Sequence, residues 1–276
     1  MAEAWGAEIV SCDSMQLYRG LDVGTAKPTA DERARVPHHL IDVAEPDEAF
    51  SAGRFVELAD RAIAEITARG RRVLIVGGTG LYLRALRWGL FDAPPKDCEL
   101  RERLYGDERE KPGTLHEQLL AVDAPSASKI APRDLVRLVR ALEVHALTGR
   151  PISEHHASQE IKERQPMRVA VLEPSRALLD ERIEARVHAM LAAGLVDETR
   201  RLRARHGAQI APLQAVGYRE VGLFLDGKLA EAELPAAILR ATRHYARRQR
   251  TWFRKERDVV RYEDPDLLFS TEAALG

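Results

Sequence analysis

Short apolar runs that end in turns are the feature that most limits how this chain can fold. Residues 72–76 and 168–172 are rich in β-branched side chains, and residues 7–10 form a shorter run of the same kind. Buried parallel strands, covered on both faces, have this composition. Turn residues follow each run, so every candidate strand has a defined carboxyl end.

Amphipathic helix patterns alternate with these runs. One extends from Ser51 to Gly70 and another from Ser175 to Gly194, each with a capping residue at its start and a glycine at its end. Strand, turn, helix and strand in this order predict an α/β protein with a mostly parallel sheet. Further helices are predicted at residues 115–122, 131–147, 191–205 and 234–253.

The strand pattern is missing between residues 93 and 164. We therefore expect a helical insertion there, with residues 1–92 and 165–276 forming the α/β core. The chain has 276 residues, of which 45% are hydrophobic and 31% charged, and this composition excludes disordered and coiled-coil classes.

Charge and cysteine content narrow the functional classes. The net charge of −1 argues against general coating of nucleic acid, although local basic patches remain possible. Cys12 and Cys98 are the only cysteines, which favours a reducing cytoplasm and excludes a cysteine-rich metal site. The sequence has neither a signal-peptide pattern nor an apolar run of the ~20 residues that a membrane span needs, so we expect no membrane contact.

A glycine-rich turn follows the strand predicted at residues 72–76. Its sequence, Gly77-Gly78-Thr79-Gly80, precedes a helix pattern. Backbone N–H groups at such a helix start bind anions, and glycine allows phosphate to approach closely. A tight turn without any ligand explains the same residues equally well.

Asp13 comes soon after the run at residues 7–10. A carboxylate at the end of a strand can accept a proton from a nucleophile or hold a magnesium ion. The simpler alternative is an ordinary turn residue.

Arginines supply two further candidate sites. Arg182 and Arg186 stand four residues apart, which places both on one helix face where they could hold a diphosphate or form an ordinary solvated surface. The segment 240–257 contains seven arginines, with Tyr245, Trp252 and Phe253 among them. This mixture suits unstacked bases on a polyanion, whereas the alternative buries the aromatic rings and leaves the arginines in solvent.

Five stretches, taken in order along nearly the whole chain, resemble the tRNA dimethylallyltransferase family. They are DSMQLYRG to GTAKP at residues 13–28, PHHLID at residues 37–42, GGTGLY at residues 77–82, RLVRALEV at residues 137–144, and QAVGYR at residues 214–219. The resemblance implies a P-loop-kinase-like parallel sheet core of the nucleotide-binding type. It also implies a cytoplasmic enzyme, expected as a monomer, that acts on the tRNA anticodon stem-loop.

The implied reaction transfers a dimethylallyl group from dimethylallyl diphosphate to N6 of the adenine 3′ of the anticodon, with Mg²⁺, and releases pyrophosphate. By this resemblance Asp13 is the base, Thr79 contacts the reacting groups, and Arg186 stabilises the leaving pyrophosphate. Gly77, Gly78 and Arg182 would join Arg186 in binding the diphosphate. The implied tRNA contacts are Asp13, Ser14, Met15, Gln16, Thr79, Arg101, Val136, Arg137, Arg140, Gln214, Gly217, Tyr218 and Arg219.

One departure from the family pattern stands out. The family has a phosphate-cradling loop of the type G-x-T-x-S-G-K-[ST], and no such sequence occurs in this chain. We interpret the difference as truncation before Met1. Two alternatives follow from it, a tRNA-binding protein without catalysis and a small-molecule kinase of the P-loop type.

Overall fold

The computed structural model describes residues 1–91, 93–158 and 163–273. The remaining positions of the predicted core and insertion, namely 92, 159–162 and 274–276, lie outside the described residues. The chain divides into two compact units. Unit 1 comprises Met1–Arg87 with Gln165–Gly276, and unit 2 comprises Trp88–Arg164.

All strands of the described chain lie in unit 1. They are β1 (Ala7–Cys12), β2 (His38–His39), β3 (Arg72–Gly77), β4 (Val169–Leu172) and β5 (Val259–Tyr262). One sheet has the order β2-β1-β3 and a second consists of β4 and β5, and every pairing is parallel. The predicted α/β class with parallel strands is confirmed.

Burial differs between the strands, and the prediction that they are covered on both faces is wrong for β3 and β4. β1 is almost entirely buried, whereas Val76 of β3 and Leu172 of β4 are 48% and 47% exposed. A cavity of about 750 Å³ explains the difference, since successive residues of both β3 and β4 line it. Neighbouring side chains of a strand point to opposite faces, so a cavity that touches all of them lies along the strand edges.

Helices make up most of the remaining structure. In chain order the described residues form α1 (Ala2–Trp5), α2 (Ala30–Arg35), α3 (Ala52–Ala68), α4 (Gly80–Trp88), α5 (Cys98–Glu110), α6 (Thr114–Val122), α7 (Ala124–Ala127), α8 (Leu135–Thr148), α9 (Ile152–Ser158), α10 (Arg176–Ala192), α11 (Leu195–His206), α12 (Tyr218–Leu225), α13 (Leu234–Phe253) and α14 (Pro265–Ala273). Two 3-10 turns occur at Ala211–Gln214 and Glu231–Glu233. Within this described part, no helix combines the length and the apolar character that crossing a membrane requires.

Side-chain caps determine several helix starts. The hydroxyls of Ser51 and Ser175 accept hydrogen bonds from the third residue of α3 and α10, as the sequence predicted. The helix predicted at residues 131–147 instead begins at Leu135, because the Asp134 carboxylate accepts a hydrogen bond from the Arg137 amide and ends the preceding loop. Gly194, at a φ of 94°, separates α10 from α11.

The core of unit 1 lies beneath β1. Val10, Leu21 and Ile66 have no exposed surface, and the Phe55 and Tyr82 rings stack with their centroids 4.3 Å apart. Burial of such side chains contributes about 1.5–3 kcal/mol each. The core therefore fixes the carboxyl end of β1, where Asp13 follows.

Unit 2 has its own core around a buried carboxylate. Leucines of α6 and α8 pack together, and Glu143 of α8 has no exposed side-chain surface. Arg101 binds Glu143 through two hydrogen bonds of 2.6 and 2.7 Å, Arg140 adds one of 2.5 Å, and the Asp97 amide adds one of 2.9 Å. Burial by itself raises the pKa of Glu143, but these donors outweigh it and lower the pKa from 4.5 to about 2.

The ionised Glu143 is expected to stabilise unit 2 above pH 4.5, and this stabilisation is expected to disappear as the pH falls towards 2. The sign follows because the pKa is lower in the folded state than in the unfolded state, so protonation favours unfolding. At pH 7, Glu143→Gln should cost about 3 kcal/mol, since it leaves two arginines beside a buried neutral group. Urea unfolding of the wild type and of Glu143→Gln from pH 7 to pH 3 measures the difference in their free energies of unfolding. A difference that stays constant with pH would contradict the prediction.

Candidate active site

Asp13 and Thr79 come together because their strands are neighbours. In the parallel register Cys12 of β1 lies opposite Gly77 of β3, so the turns that follow meet at one edge of the sheet. The Thr79 amide donates to the Cys12 carbonyl at 3.2 Å. The Thr79 hydroxyl accepts a hydrogen bond from the Ser14 amide at 2.9 Å and lies 3.2 Å from the Ser14 hydroxyl. The two turns are therefore joined into one rigid edge.

The two oxygens of Asp13 have different surroundings. Oδ1 accepts hydrogen bonds from the Met15 amide at 2.7 Å and the Gln16 amide at 3.3 Å. This is the turn geometry that the simpler interpretation of the sequence predicted. No described residue donates a hydrogen bond to Oδ2. The carboxylate is thus held through one oxygen while the other is available to a ligand.

The glycines of the turn allow other parts of the protein to approach closely. A Cβ on Gly77 would lie 2.2 Å from the Cys12 carbonyl oxygen. On Gly78 it would lie 2.2 Å from the Gln249 side chain, and on Gly80 it would lie 2.2 Å from the Trp252 ring. Packing against backbone and a ring accounts for Gly77 and Gly80, whereas the Gln249 side chain at Gly78 could move aside, and the predicted binding of diphosphate by Gly77 and Gly78 stays a prediction.

Helix α13 lies directly against this turn. Gln249 donates a hydrogen bond to the Gly78 carbonyl at 3.1 Å. Loss of hydration and the negative charge of Asp13 both raise the pKa of Tyr245, which lies next to the site with Arg248 5.5 Å from its ring centroid. Trp252 and Phe253 are half-buried, as the structural interpretation of the basic segment expects, and Tyr245 is 39% exposed, so only part of its surface faces solvent.

Arg186 reaches the site through the loop of residues 21–27. Its guanidinium donates to the Thr25 carbonyl at 3.2 Å, and the same carbonyl accepts from the Gln16 side chain at 3.3 Å. Buried Lys27 ties the loop to Asp42 at 2.6 Å. Arg182 lies one turn earlier on α10, and both arginines are exposed.

The segment 214–219 divides between surface and core. Gln214 and Arg219 are exposed, whereas Gly217 and Tyr218 are buried. The Tyr218 hydroxyl donates to Glu198 at 2.6 Å, and burial followed by the charge of Glu198 raises the tyrosine pKa. A direct contact between Tyr218 and RNA would require the ring to leave the core.

In unit 2 the predicted tRNA contacts also have different surroundings. Arg101 and Arg140 bind Glu143, so their guanidinium groups are already held in place. Val136 is 72% exposed, and Arg137 is exposed beside Asp134. A single exposed valine is ordinary for a protein surface, so the assignment of Val136 and Arg137 to RNA contact stays a prediction.

Sequence reasoning did not identify Gln249 or Glu198 as residues near the site, and it included Thr25 only as part of the family-like stretch at residues 13–28. Gln249 and Glu198 lie far along the chain from Asp13, and no local pattern indicates which helix faces the turn. The relevant sequence feature is the mixture of aromatic and basic residues in the segment 240–257, for which both base stacking and burial of the aromatic rings are predicted.

Known proteins resemble this chain in sequence and in structure. The family model described as IPP transferase matches residues 16–256. A tRNA dimethylallyltransferase of Anaeromyxobacter dehalogenans is 50% identical over 262 residues, covering 94% of this chain and 87% of that protein. A tRNA dimethylallyltransferase of Halorhodospira halophila is 46% identical over 273 residues, covering 97% of this chain and 88% of that protein.

Solved structures of tRNA-modifying transferases are also similar to this chain. The tRNA isopentenylpyrophosphate transferase of Bacillus halodurans has a TM-score of 0.72 at 36% identity, covering 99% of this chain and 88% of that one. A eukaryotic dimethylallyltransferase described as acting on tRNA has a TM-score of 0.77 at 27% identity, covering 91% and 64%.

Gly80→Ala should destabilise unit 1 by about 1–3 kcal/mol, because the new methyl group overlaps Trp252 at 2.2 Å. Gly53→Ala is the matched control, since Gly53 also lies in the first turn of a helix but its Cβ would meet nothing nearer than 3.7 Å. The control should be neutral or stabilising by up to about 1 kcal/mol. Urea unfolding of both variants tests the packing, and equal stability of the two would contradict it.

Proposed function

The chain belongs to the IPP transferase family and is therefore a transferase that modifies tRNA, and we propose that it moves a dimethylallyl group from dimethylallyl diphosphate to N6 of the adenine 3′ of the anticodon. The observation that carries the proposal is the Asp13 carboxylate, held through Oδ1 with Oδ2 available, beside Thr79. Two free cysteines are consistent with a cytoplasmic location.

The nucleophile is a weak one. The N6 amine of adenine is conjugated with the purine ring, so it gains acidity only as it bonds to the allylic carbon. As the N–C bond forms and the C–O bond to diphosphate breaks, Asp13 Oδ2 accepts the N6 proton. The two amides that bind Oδ1 hold the carboxylate plane in place for that transfer, which removes a reorganisation cost from the reaction.

The leaving group carries the developing negative charge. We assign its stabilisation to Arg186, assisted by Arg182 on the same helix face, and to the amides of Gly77 and Gly78. Thr79 supplies a hydroxyl beside the same edge of the sheet. Positioned donors act most strongly where charge appears during the reaction.

Mg²⁺ fits the site as a companion of the diphosphate. The described residues contain no cluster of three His, Cys, Asp or Glu side chains that could hold a metal ion alone. Mg²⁺ usually keeps several waters and is bound mainly through substrate phosphates, so the diphosphate oxygens would hold the ion while Asp13 Oδ2 stays available for the N6 proton. When bound, the ion would neutralise diphosphate charge.

RNA binding would use several exposed residues. The target adenine must leave its base stack to reach Asp13, as enzymes that act on a base within structured RNA require. Tyr245, with Arg248 beside its ring, offers a stacking surface close to Asp13. Gln214, Arg219, Val136 and Arg137 are exposed candidates for contact with the anticodon stem-loop.

Asp13→Asn is expected to lower transfer by about 10²- to 10⁴-fold while the fold is retained. The amide oxygen of asparagine can still accept the Met15 and Gln16 hydrogen bonds, but the side chain cannot accept the N6 proton. The assay uses labelled dimethylallyl diphosphate, Mg²⁺ and an unmodified anticodon stem-loop with adenine 3′ of the anticodon. Full activity of the variant would rule out Asp13 as the base.

Measurements of stem-loop binding and of ATP consumption, made beside the transfer assay, separate the alternative functions. An RNA-binding protein without catalysis would retain the stem-loop and transfer nothing. A small-molecule kinase would consume ATP in the absence of RNA. The similarity to tRNA dimethylallyltransferases over most of the chain favours neither alternative.

Arg186→Ala should lower kcat/KM for dimethylallyl diphosphate by roughly 10- to 100-fold, because charge-assisted hydrogen bonds contribute about 1.5–3 kcal/mol. Arg182→Ala is the matched comparison on the same helix face and should have a smaller effect, since Arg186 is the one connected to the Asp13 edge through Thr25. Steady-state kinetics with RNA at saturation measures both. A larger loss in Arg182→Ala would reverse the assignment.

A further inference from the structure

The loop of residues 21–27 connects two predicted binding residues. Its Thr25 carbonyl accepts hydrogen bonds from Arg186 at 3.2 Å and from Gln16 at 3.3 Å. Any shift of this loop therefore moves an arginine assigned to the diphosphate and a side chain assigned to RNA. The positions of both binding residues therefore depend on the position of the loop.

One buried carboxylate holds that loop. Glu198 Oε2 accepts from the Asp22 amide at 3.1 Å and the Val23 amide at 2.8 Å, and Oε1 accepts from the Gly24 amide at 3.1 Å. Glu198 is 3% exposed, so these bonds form away from water. Three consecutive amides on one carboxylate leave the backbone little freedom, because hydrogen bonds to a charged acceptor are stronger than neutral ones.

Tyr218 completes the arrangement from the other side. Its hydroxyl donates to Glu198 Oε1 at 2.6 Å, and its ring lies over Gly24. A Cβ on Gly24 would lie 2.4 Å from that ring, so only glycine fits. The four donors occupy the acceptor capacity of the carboxylate, which leaves Glu198 no oxygen for substrate.

We propose that Glu198 is a positioning residue for the transfer reaction, which fixes the 21–27 loop so that Thr25 holds Arg186 in place for the diphosphate. The inference rests on the proposed function, because it takes Arg186 as the diphosphate ligand. Glu198 itself touches neither substrate. Its action passes through the backbone from Asp22 to Thr25.

Glu198→Gln is the primary test. The side-chain NH2 would face backbone N–H donors, so at least one of the three amides loses its acceptor and the loop shifts. We expect KM for dimethylallyl diphosphate to rise about tenfold or more, since displacement of a binding group by an ångström has effects of this size. Glu198→Asp keeps the charge and should lose less, and Gly24→Ala should displace the loop without changing Glu198.

The double variant Glu198→Gln/Arg186→Ala distinguishes positioning from simple stability. If Glu198 acts through Arg186, its effect on KM should be much smaller when Arg186 is already absent. Glu8→Gln is the control: Glu8 is also a buried carboxylate of unit 1, bound to Arg69 and His39, and lies near the opposite end of β1 from Asp13. The control should lower the melting temperature and leave KM unchanged.

Binding of inorganic pyrophosphate with Mg²⁺, measured by calorimetry, separates failure of this inference from failure of the proposed function. Weaker pyrophosphate binding in Glu198→Gln, with no further loss when the same substitution is added to Arg186→Ala, supports positioning. Unchanged binding and unchanged KM in a folded Glu198→Gln protein overturn it, and so do independent losses in the double variant. A wild-type protein that binds pyrophosphate but transfers nothing overturns the proposed function alone, and one that does not bind pyrophosphate overturns both.

Discussion

The contact between the ends of β1 and β3 determines where the chemistry can occur. Gly77 approaches the Cys12 carbonyl so closely that a Cβ would lie 2.2 Å from it, and this approach lets Thr79 bond to both Cys12 and Ser14. Parallel strands place their carboxyl ends on one side, but they do not by themselves bring the following turns into contact. Here the turns can touch because Gly77 has no side chain, and Asp13 is held beside Thr79 as a consequence. The glycine turn is thus explained by backbone packing before any ligand is considered.

The basic helix α13 has two roles that the sequence could not separate. Gln249 and Trp252 face inward and fill the space left by Gly78 and Gly80, whereas Arg247 and Arg248 are exposed. The inward residues support the turn, and the outward residues supply positive charge on the same element. Tyr245 lies near Asp13 and interacts with Gln249 and Arg248. The same helix thus supports the glycine turn and carries exposed charge, so a ligand that bound these arginines would act on the element that holds the turn.

The sequence predicted those features that local chemistry controls. Ser51 and Ser175 cap their helices, the apolar runs form strands, and the residues 234–253 form a helix with the predicted bounds. The start of α8 was predicted too early, because the Asp134 cap competes with helix propensity at residues 131–134. The contacts of Glu198 could not be predicted, since they join residues about 175 positions apart. The partial exposure of β3 and β4 was also missed, because an apolar run indicates a strand but not which strand will lie beside it.

Two carboxylates near the site show how hydrogen bonding assigns different roles to the same functional group. Glu198 is surrounded by three amides and a tyrosine hydroxyl, so all its acceptor capacity serves the protein. Asp13 receives two amides on Oδ1, and no described residue donates to its Oδ2. A proton acceptor needs an oxygen that substrate can reach, and a structural anchor is most effective without one. Asp13 meets the first condition and Glu198 the second, so the proposed division between base and positioning residue follows from how many donors surround each carboxylate.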